Sequence, residues 1–342
     1  MYSRSIFHTV HGPCEPGYRE RRRRTLNFEA LGKEAASDAD LWARVVGRAS
    51  RSRRYRVIQP KEKVMSDFES RAGRDRAVPS FRHQRDERFE ARGELSVHVA
   101  TRSGDVTVLA GKATELAVRL GTDRSASAEA PGRARVEYDA ARGTLLVETL
   151  PRAGRGLRGM TFSDWRERDD VNVVLVLPLG SDLQVTTVSG DTRLEAALGE
   201  VEVSSVSGDV QASDELSSLD VRTASGDVST GTVRERLRCR VASGDVMIAG
   251  AAARTDVASA SGDVAVTALS PSDLSVNAAS GDVRVSVLEG LAIDVAGRTV
   301  SGHLESRIDL DGLDEAASRS DQLSMIRVTT VSGDILIDRV TS

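Results

Sequence analysis

From Leu95 onward, the chain alternates apolar and polar residues in short runs separated by Gly, Pro, Asp and Arg. Clear examples are the stretches ELSVHV, ELAVRL, TLLVETL and VNVVLVLPL. A period of two residues is typical of β-strands that bury one face. The pattern therefore predicts an all-β domain that begins at about residue 89 and continues to residue 341.

A tetrad of Ser, Gly, Asp and an apolar residue or Thr recurs within this pattern. Ser-Gly-Asp begins at residues 189, 207, 225, 243 and 261, with a constant spacing of 18 residues, and again at 280 and 332. Ser-Gly-His begins at Ser301, and an earlier copy of Ser-Gly-Asp begins at Ser103. A fixed period of this kind predicts a solenoid, in which each repeat is one coil that buries its apolar face against its neighbours.

Within each repeat, the positions after Asp alternate between apolar and polar residues, so they predict a strand that follows a tight corner. Gly suits a corner with positive φ, and the short Ser and Asp side chains accept hydrogen bonds from the N–H groups of turns. We therefore expect the tetrads to be structural. The predicted corner residues are Ser189, Gly190, Asp191, Ser207, Gly208, Asp209, Ser225, Gly226, Asp227, Ser243, Gly244, Asp245, Ser261, Gly262, Asp263, Ser280, Gly281, Asp282, Ser332, Gly333 and Asp334.

The predicted architecture is a single-stranded parallel β-solenoid with about 18 residues and two strands in each coil. An irregular strand layer over residues 95–180 is expected to cap one end, and about eight coils follow it. A polar loop at residues 151–170 and an insertion at residues 309–323 are expected to protrude. Coils stack about 4.8 Å apart, so residues one repeat apart should be neighbours in the sheets.

Residues 1–88 are expected to be a disordered basic tail. Residues 1–64 carry 15 Lys and Arg against 7 Asp and Glu, whereas residues 65–342 carry 32 against 44. The tail lacks sustained period-2 or helical patterning. Because the codons of the residues before Met65 can contain a ribosome-binding sequence, our hypothesis is that Met65 is the natural start and residues 1–64 come from an over-extended reading frame.

Two chemical interpretations compete with a structural role for the corners. Stacked carboxylates lie about 5 Å apart, which resembles the pair of a retaining glycosidase, but this spacing follows from stacking alone. Calcium also favours oxygen ligands, although the repeat Gly-Gly-x-Gly-x-Asp is missing. We expect no enzyme activity, no cofactor and no metal site; His303 is interpreted as a tolerated substitution in its corner and Cys239 as a small core residue.

The remaining sequence features concern location. Cys14 and Cys239 are the two cysteines, as expected of free thiols in a reducing compartment. No stretch has the length of a transmembrane helix, and no apolar segment follows the N-terminal arginines. The expected location is the cytoplasm, with the inner face of the cell envelope as a peripheral site.

The tetrads VSGDV and ASGDV, together with the stretch VLVLPLGSDLQVTTVSGD, resemble a bacterial β-strand-repeat family labelled "putative adhesin", a domain of unknown function. The resemblance extends from Phe89 to Val340. It implies a β-solenoid and a part in cell-envelope stress or surface functions. It implies no catalytic residues.

The expected function is that of a noncatalytic binding or scaffold protein. A flat face of the coils, or the loop that carries Phe162 and Trp165, is expected to bind a protein partner. The alternative is self-association, in which exposed terminal strands pair end to end and the protein polymerises. We expect no nucleic acid to bind the folded domain.

Overall fold

The computed structural model describes residues 78–149, 170–308 and 323–340. Within these ranges the chain forms 22 strands, a 3₁₀ turn at Ser125–Ser127 and a short helix, α1, at Ala130–Arg133. The strands belong to two sheets, A and B, which enclose one core of Val, Leu, Ile and Ala side chains. The predicted all-β solenoid is confirmed.

The first seven strands form the cap region and the remaining fifteen form the regular coils. The strands of the cap region are β1 (His83–Glu90), β2 (Ser96–Ser103), β3 (Val106–Gly111), β4 (Glu115–Thr122), β5 (Arg135–Asp139), β6 (Thr144–Glu148) and β7 (Asn172–Pro178). The strands of the coils are β8 (Asp182–Ser189), β9 (Thr192–Glu195), β10 (Leu198–Ser207), β11 (Val210–Ala212), β12 (Leu216–Ser225), β13 (Val228–Ser243), β14 (Val246–Gly250), β15 (Arg254–Ser261), β16 (Val264–Ala268), β17 (Asp273–Ser280), β18 (Val283–Leu288), β19 (Ile293–Ser301), β20 (Leu304–Ser306), β21 (Ser324–Ser332) and β22 (Ile335–Val340).

Each coil contributes one segment to each sheet, and like positions of successive coils are neighbours; the single strand β13 runs through both sheets. In sheet B, Val221 of β12 pairs with Val203 of β10 on one side and with Cys239 of β13 on the other. Both neighbours are 18 residues away, and all three side chains are buried. The repeat period therefore sets the register, because a slip of one residue would move every apolar side chain to the solvent face.

The glycine at each corner is required for two separate reasons. At the nine corners from Gly104 to Gly333, φ lies between 107° and 148°, a range that side chains with a Cβ rarely adopt. In addition, a Cβ on Gly226 would lie well under 3.0 Å from the carbonyl oxygen of Gly208 in the coil before it. The same clash with the preceding coil recurs at every stacked corner, so the corners can approach each other only as glycines.

At the C-terminal end, the order of the coils in space differs from their order along the chain. Strand β17 pairs with β21, and β21 in turn pairs with β19. In sheet A, β18 pairs with β22 and β22 with β20. The coil with the corner at Ser332 therefore lies between the coils with corners at Ser280 and Ser301, and the Ser301 coil ends the stack.

The N-terminal end shows the same arrangement and adds antiparallel strands. The coil of β2 and β3 lies between β6 and β7 on one side and β8 and β9 on the other. Strand β4 then adds to β7, β1 adds to β4, and β5 adds to β6, all antiparallel. This cap corresponds to the expected irregular strand layer.

The ordered chain begins earlier than the sequence-based boundary at residue 89. Strand β1 starts at His83, and the described chain starts at Val78. The sequence of β1, HQRDERFE, does not alternate apolar and polar residues, because most of its side chains are only partly buried. The strand is therefore not recognisable from its sequence pattern. Part of the expected tail is thus an edge strand of the cap.

The segment before β1 covers a second, smaller apolar cluster on the outer face of sheet A. Val78 and Phe81 pack against Leu109, Val174 and Val176. The fold of this end therefore depends on residues that precede the repeats.

Beside this cluster lies a buried ion pair. The guanidinium of Arg119 donates two hydrogen bonds to the carboxylate of Asp86, at 2.8 and 3.0 Å, and one to the carbonyl of Pro79. The exposed fractions of the Arg119 and Asp86 side chains are only 2% and 6%. The pair fastens the edge strand β1 to β4.

Three segments for which the sequence makes predictions lie outside the described residues. They are residues 1–77, residues 150–169 with Phe162 and Trp165, and residues 309–322. The predictions of a disordered tail, of an early start and of two protruding segments therefore stay predictions for these stretches.

The two roles of the corner glycine can be separated by mutation. We expect Gly226→Ala to lower the free energy of unfolding by at least about 3 kcal/mol, since it adds both strain and a backbone clash. Gly290→Ala is the matched control, because Gly290 has φ of 85° but nothing within 4 Å of its added Cβ; it should cost only about 1 kcal/mol. Urea unfolding measures both, and equal losses would contradict the stacking role.

The buried ion pair makes a second prediction. Asp86→Ala leaves the buried guanidinium of Arg119 without its carboxylate, so we expect a loss of about 3–5 kcal/mol in the free energy of unfolding. The double variant Asp86→Leu/Arg119→Leu should be more stable than Asp86→Ala, because it leaves no unpaired charge. Thermal unfolding of the three proteins checks this order, and a double variant that is less stable would refute it.

Candidate binding surface

The predicted corner residues meet on one ridge along the solenoid. In each coil, the backbone N–H of the corner Asp donates a hydrogen bond to a carboxylate oxygen, Oδ1, of the Asp in the coil before it. For Asp209, Asp227 and Asp245, these bonds measure 3.0, 2.9 and 2.8 Å. The ridge thus links every coil to the next through a charge-assisted hydrogen bond.

At both ends of this series of hydrogen-bonded corners, a residue other than Asp occupies the corner position. At the cap, the side-chain oxygen of Asn172 accepts the N–H of Asp105 at 2.7 Å, so a neutral amide does the same work. At the other end, the N–H of His303 donates to Asp334 at 2.7 Å. Among the described residues, the coil of His303 is the last of the stack, so no described coil uses an acceptor at this position. The substitution predicted to be tolerated therefore has a structural reason.

The corner carboxylates from Asp209 to Asp282 are chemically alike, whereas Asp105 and Asp191 also form ion pairs with Arg193. From Asp191 to Asp334, each corner carboxylate accepts the backbone N–H of the corner residue in the next coil of the stack. Among the described residues, no group of three or more His, Cys, Asp or Glu side chains is arranged to hold a metal ion. The hydrogen bonds of the ridge join one coil to the next.

Cys239 lies where the sequence pattern places it, in the core. Its side chain is buried, and burial, with a smaller contribution from Asp220, raises the pKa of its thiol to about 12. A thiol with such a pKa stays protonated at neutral pH, so it packs as a small apolar side chain.

The outer face of sheet B carries a cluster of arginines that we call the arginine face. Its five members lie on three adjacent strands, β12, β13 and β15: Arg222, Arg236, Arg238, Arg240 and Arg254. Three of them are on β13, at alternate positions that point away from the core. The cluster thus presents five guanidinium groups on one flat surface.

Two arginine pairs on this face are lateral neighbours of like charge. Arg222 pairs in register with Arg240, and Arg236 pairs with Arg254. Like charges directly opposite each other destabilise a sheet, and at about 5 Å the repulsion is roughly 0.8 kcal/mol per pair in water. The fold requires nothing of these outward positions, since other coils place Ser, Asp, Ala or Asn there.

Carboxylates neutralise only part of the arginine face. Arg222 contacts Glu202 and Asp220 at 3.2 Å each, and Arg254 contacts Asp256 at 3.5 Å. Arg238 is 4.0 Å from Asp220.

The remaining two arginines of the face, Arg236 and Arg240, differ from these three in their ion pairing. In the part of the chain that the structure describes, neither Arg236 nor Arg240 forms an ion pair with a carboxylate. Asp273 of β17 lies in register beside Arg254. The positive charge is therefore least balanced at Arg236 and Arg240.

The arginine face was not predicted from the sequence. The signal is the stretch RERLRCR, Arg234–Arg240, in which every second residue is an arginine. The other candidate, the loop with Phe162 and Trp165, lies outside the described residues and stays a prediction.

No helix in the described residues is long and apolar enough to cross a membrane.

The sequence profile of the Toastrack DUF4097 family matches residues 96–338. No curated protein matches the sequence.

The solved structures that are similar to the chain include a "putative adhesin" from Bacteroides fragilis, with 14% identity over 76% of this chain and 98% of that one, at a TM-score of 0.41. They also include a "putative lipid binding protein" from Parabacteroides distasonis, with 13% identity over 75% and 97% of the two chains, at a TM-score of 0.42. Similarity at this level carries no inference about function.

The carboxylate ladder makes a testable prediction. Asp227→Ala removes the acceptor for the N–H of Asp245, and we expect a loss of about 1 kcal/mol in the free energy of unfolding. Asp227→Asn should lose less than half of that, because Asn172 already fills the same role. Chemical unfolding measures both, with His303→Ala as the control that should change nothing. Equal losses for Asn and Ala would contradict the acceptor role.

Proposed function

The chain belongs to the Toastrack DUF4097 family, an adhesin-like domain of unknown function, and we propose that it is a noncatalytic binding scaffold. In this proposal, the arginine face of sheet B binds an acidic segment of a protein partner. The rigid coils hold the five guanidinium groups in place.

The observation that carries the proposal is the unbalanced positive charge at Arg236 and Arg240 on the arginine face. Arg236 and Arg240 extend from the same strand without a carboxylate partner among the described residues, and both lie beside another arginine. A carboxylate that binds between two such guanidinium groups relieves their repulsion and accepts bidentate hydrogen bonds. The unbound face is therefore poised to gain stability from an acidic ligand.

The geometry of the face favours an extended segment of protein as that ligand. Neighbouring strands place the arginines about 4.8 Å apart, and alternate residues along β13 place them about 6.6 Å apart. An extended acidic peptide carries carboxylates at a similar spacing along its own length. The face is flat and open, which suits such a ligand better than a small molecule that needs an enclosing pocket.

The noncatalytic part of the proposal rests on the uniformity of the corner ridge. Catalytic carboxylates differ in environment, since one of them must act as an acid or base while another stays ionised. Asp209, Asp227 and Asp245 instead share one set of backbone partners. A structural role accounts for all of them at once.

Location and pathway also belong to the proposal. We place the protein in the cytoplasm, at the inner face of the envelope, in a role linked to envelope stress or surface functions. Buried, protonated Cys239 is compatible with a reducing compartment. Fractionation of the native host tests this placement, and recovery of the protein outside the cytoplasmic membrane would refute it.

A charge-reversal experiment on the full chain tests the arginine face. We expect a fluorescent glutamate-rich peptide to bind with a strong dependence on salt, and Arg236→Glu/Arg240→Glu to weaken this binding by about tenfold, since two exposed charges are inverted. Fluorescence anisotropy measures the affinity. Hydrogen exchange should show peptide-dependent protection of β12, β13 and β15 in the wild-type protein only.

The matched control is Arg284→Glu, which inverts one exposed arginine on sheet A. It should leave peptide binding unchanged, which shows that inverting an arginine outside the arginine face does not weaken binding. The same assay with phosphatidylglycerol vesicles and with single-stranded DNA compares other anionic partners. Tighter binding of either one through Arg236 and Arg240, or equal loss in the control, would overturn an acidic protein segment as the ligand.

A further inference from the structure

The two ends of the solenoid are finished differently. In the described residues, the outer edge strands of the N-terminal end are β1 and β5, which carry five charged residues of eight and three of five. The C-terminal end finishes with β19 and β20, and no described strand pairs with their outer edges. Charged edge strands prevent pairing between molecules, whereas β19 has only two charged residues in nine.

Exposed apolar side chains concentrate at this open end. Val300 of β19 has 73% of its surface exposed, and Leu323, Met325 and Val331 on the adjoining coil are also exposed. An unpaired edge flanked by such side chains is a template for strand addition.

The two charges of β19 are arranged symmetrically about Ala296. Asp294 lies two residues before it and Arg298 two residues after it, and all three side chains are exposed on the outer face of sheet B. Among the described residues, neither Asp294 nor Arg298 has an ion-pair partner; their register neighbours on β21 are Met325 and Thr329.

We propose that β19 pairs with the β19 of a second copy of this chain, antiparallel and about a two-fold axis at Ala296. In this register Asp294 faces Arg298 of the second copy, and Arg298 faces its Asp294. Side chains on the same face meet, as a continuous sheet requires, and the two ion pairs are equivalent by symmetry. The proposal goes beyond the proposed function and does not depend on the arginine face.

The corner of the last coil favours a closed dimer over a growing fibre. Head-to-tail stacking would add a parallel coil, whose corner N–H needs a side-chain oxygen at residue 303 as its acceptor, as Asp or Asn provides at the other corners. His303 has no side-chain oxygen, and the charged strands β1 and β5 close the opposite end. Antiparallel pairing of two β19 strands needs no such acceptor. One open end and one closed end together produce a dimer.

Charge swaps on the full chain test this register. We expect the wild-type protein to be a dimer in sedimentation equilibrium and in light scattering coupled to size exclusion. Asp294→Arg places arginine opposite arginine twice, and Arg298→Asp places aspartate opposite aspartate twice. Each single variant should raise the dimer dissociation constant by at least about tenfold. The double variant Asp294→Arg/Arg298→Asp should restore the dimer.

Arg327→Asp is the matched control, because Arg327 is exposed on the same face one strand away from the edge. It should leave the dimer intact, and circular dichroism should show every variant folded. A monomeric wild-type protein at all concentrations overturns the proposal. So does failure of the folded double variant to restore the dimer, or growth of mass without limit as the concentration rises.

Discussion

The close contact between successive corners is the constraint on which the rest of the structure depends. The backbone of each corner glycine lies against the carbonyl of the glycine in the coil before it, at a distance that leaves no room for a Cβ. Because the corners stack this closely, the strands on either side lie at hydrogen-bonding distance from their neighbours and like residues meet in ladders. In the coils from β8 onward, the thin core of Val, Leu and Ile closes between the two sheets without aromatic residues, whereas Phe89 and Tyr138 pack against the core at the cap.

The carboxylate ladder adds direction to this stack. Each corner carboxylate accepts the backbone N–H of the corner residue in the next coil, so the two ends of the stack are chemically different. Asn172 begins the ladder with a neutral acceptor, and His303 ends it where no further acceptor is used. The same polarity explains why the N-terminal end carries a cap of antiparallel strands while the C-terminal end presents an edge suited to a second copy.

Function is inferred from the positions that the fold leaves free. Inward and corner positions are dictated by packing and by backbone geometry, so their residues say little about binding. Outward positions of sheet B tolerate any side chain, and there the arginine face concentrates like charges that cost the fold some stability. The charges of β19 are free in the same sense, yet Asp294 and Arg298 complement themselves across a two-fold axis. Both inferences thus depend on residues for which stability offers no reason.

The sequence by itself determined the all-β class, the 18-residue coil and the corner residues, because period and glycine position are local properties that stacking converts directly into register. Three arginines of the arginine face lie in the stretch RERLRCR of β13. The face could be recognised only from the structure, which places β12 and β15 on either side of β13. The order of the stack was decided by tertiary structure alone. Corners such as those at Ser280, Ser301 and Ser332 are interchangeable as hydrogen-bonding units, so the local sequence cannot say which one follows which in space. The tertiary structure placed Ser332 between the other two, and only that placement explained His303 and identified β19 as the open edge.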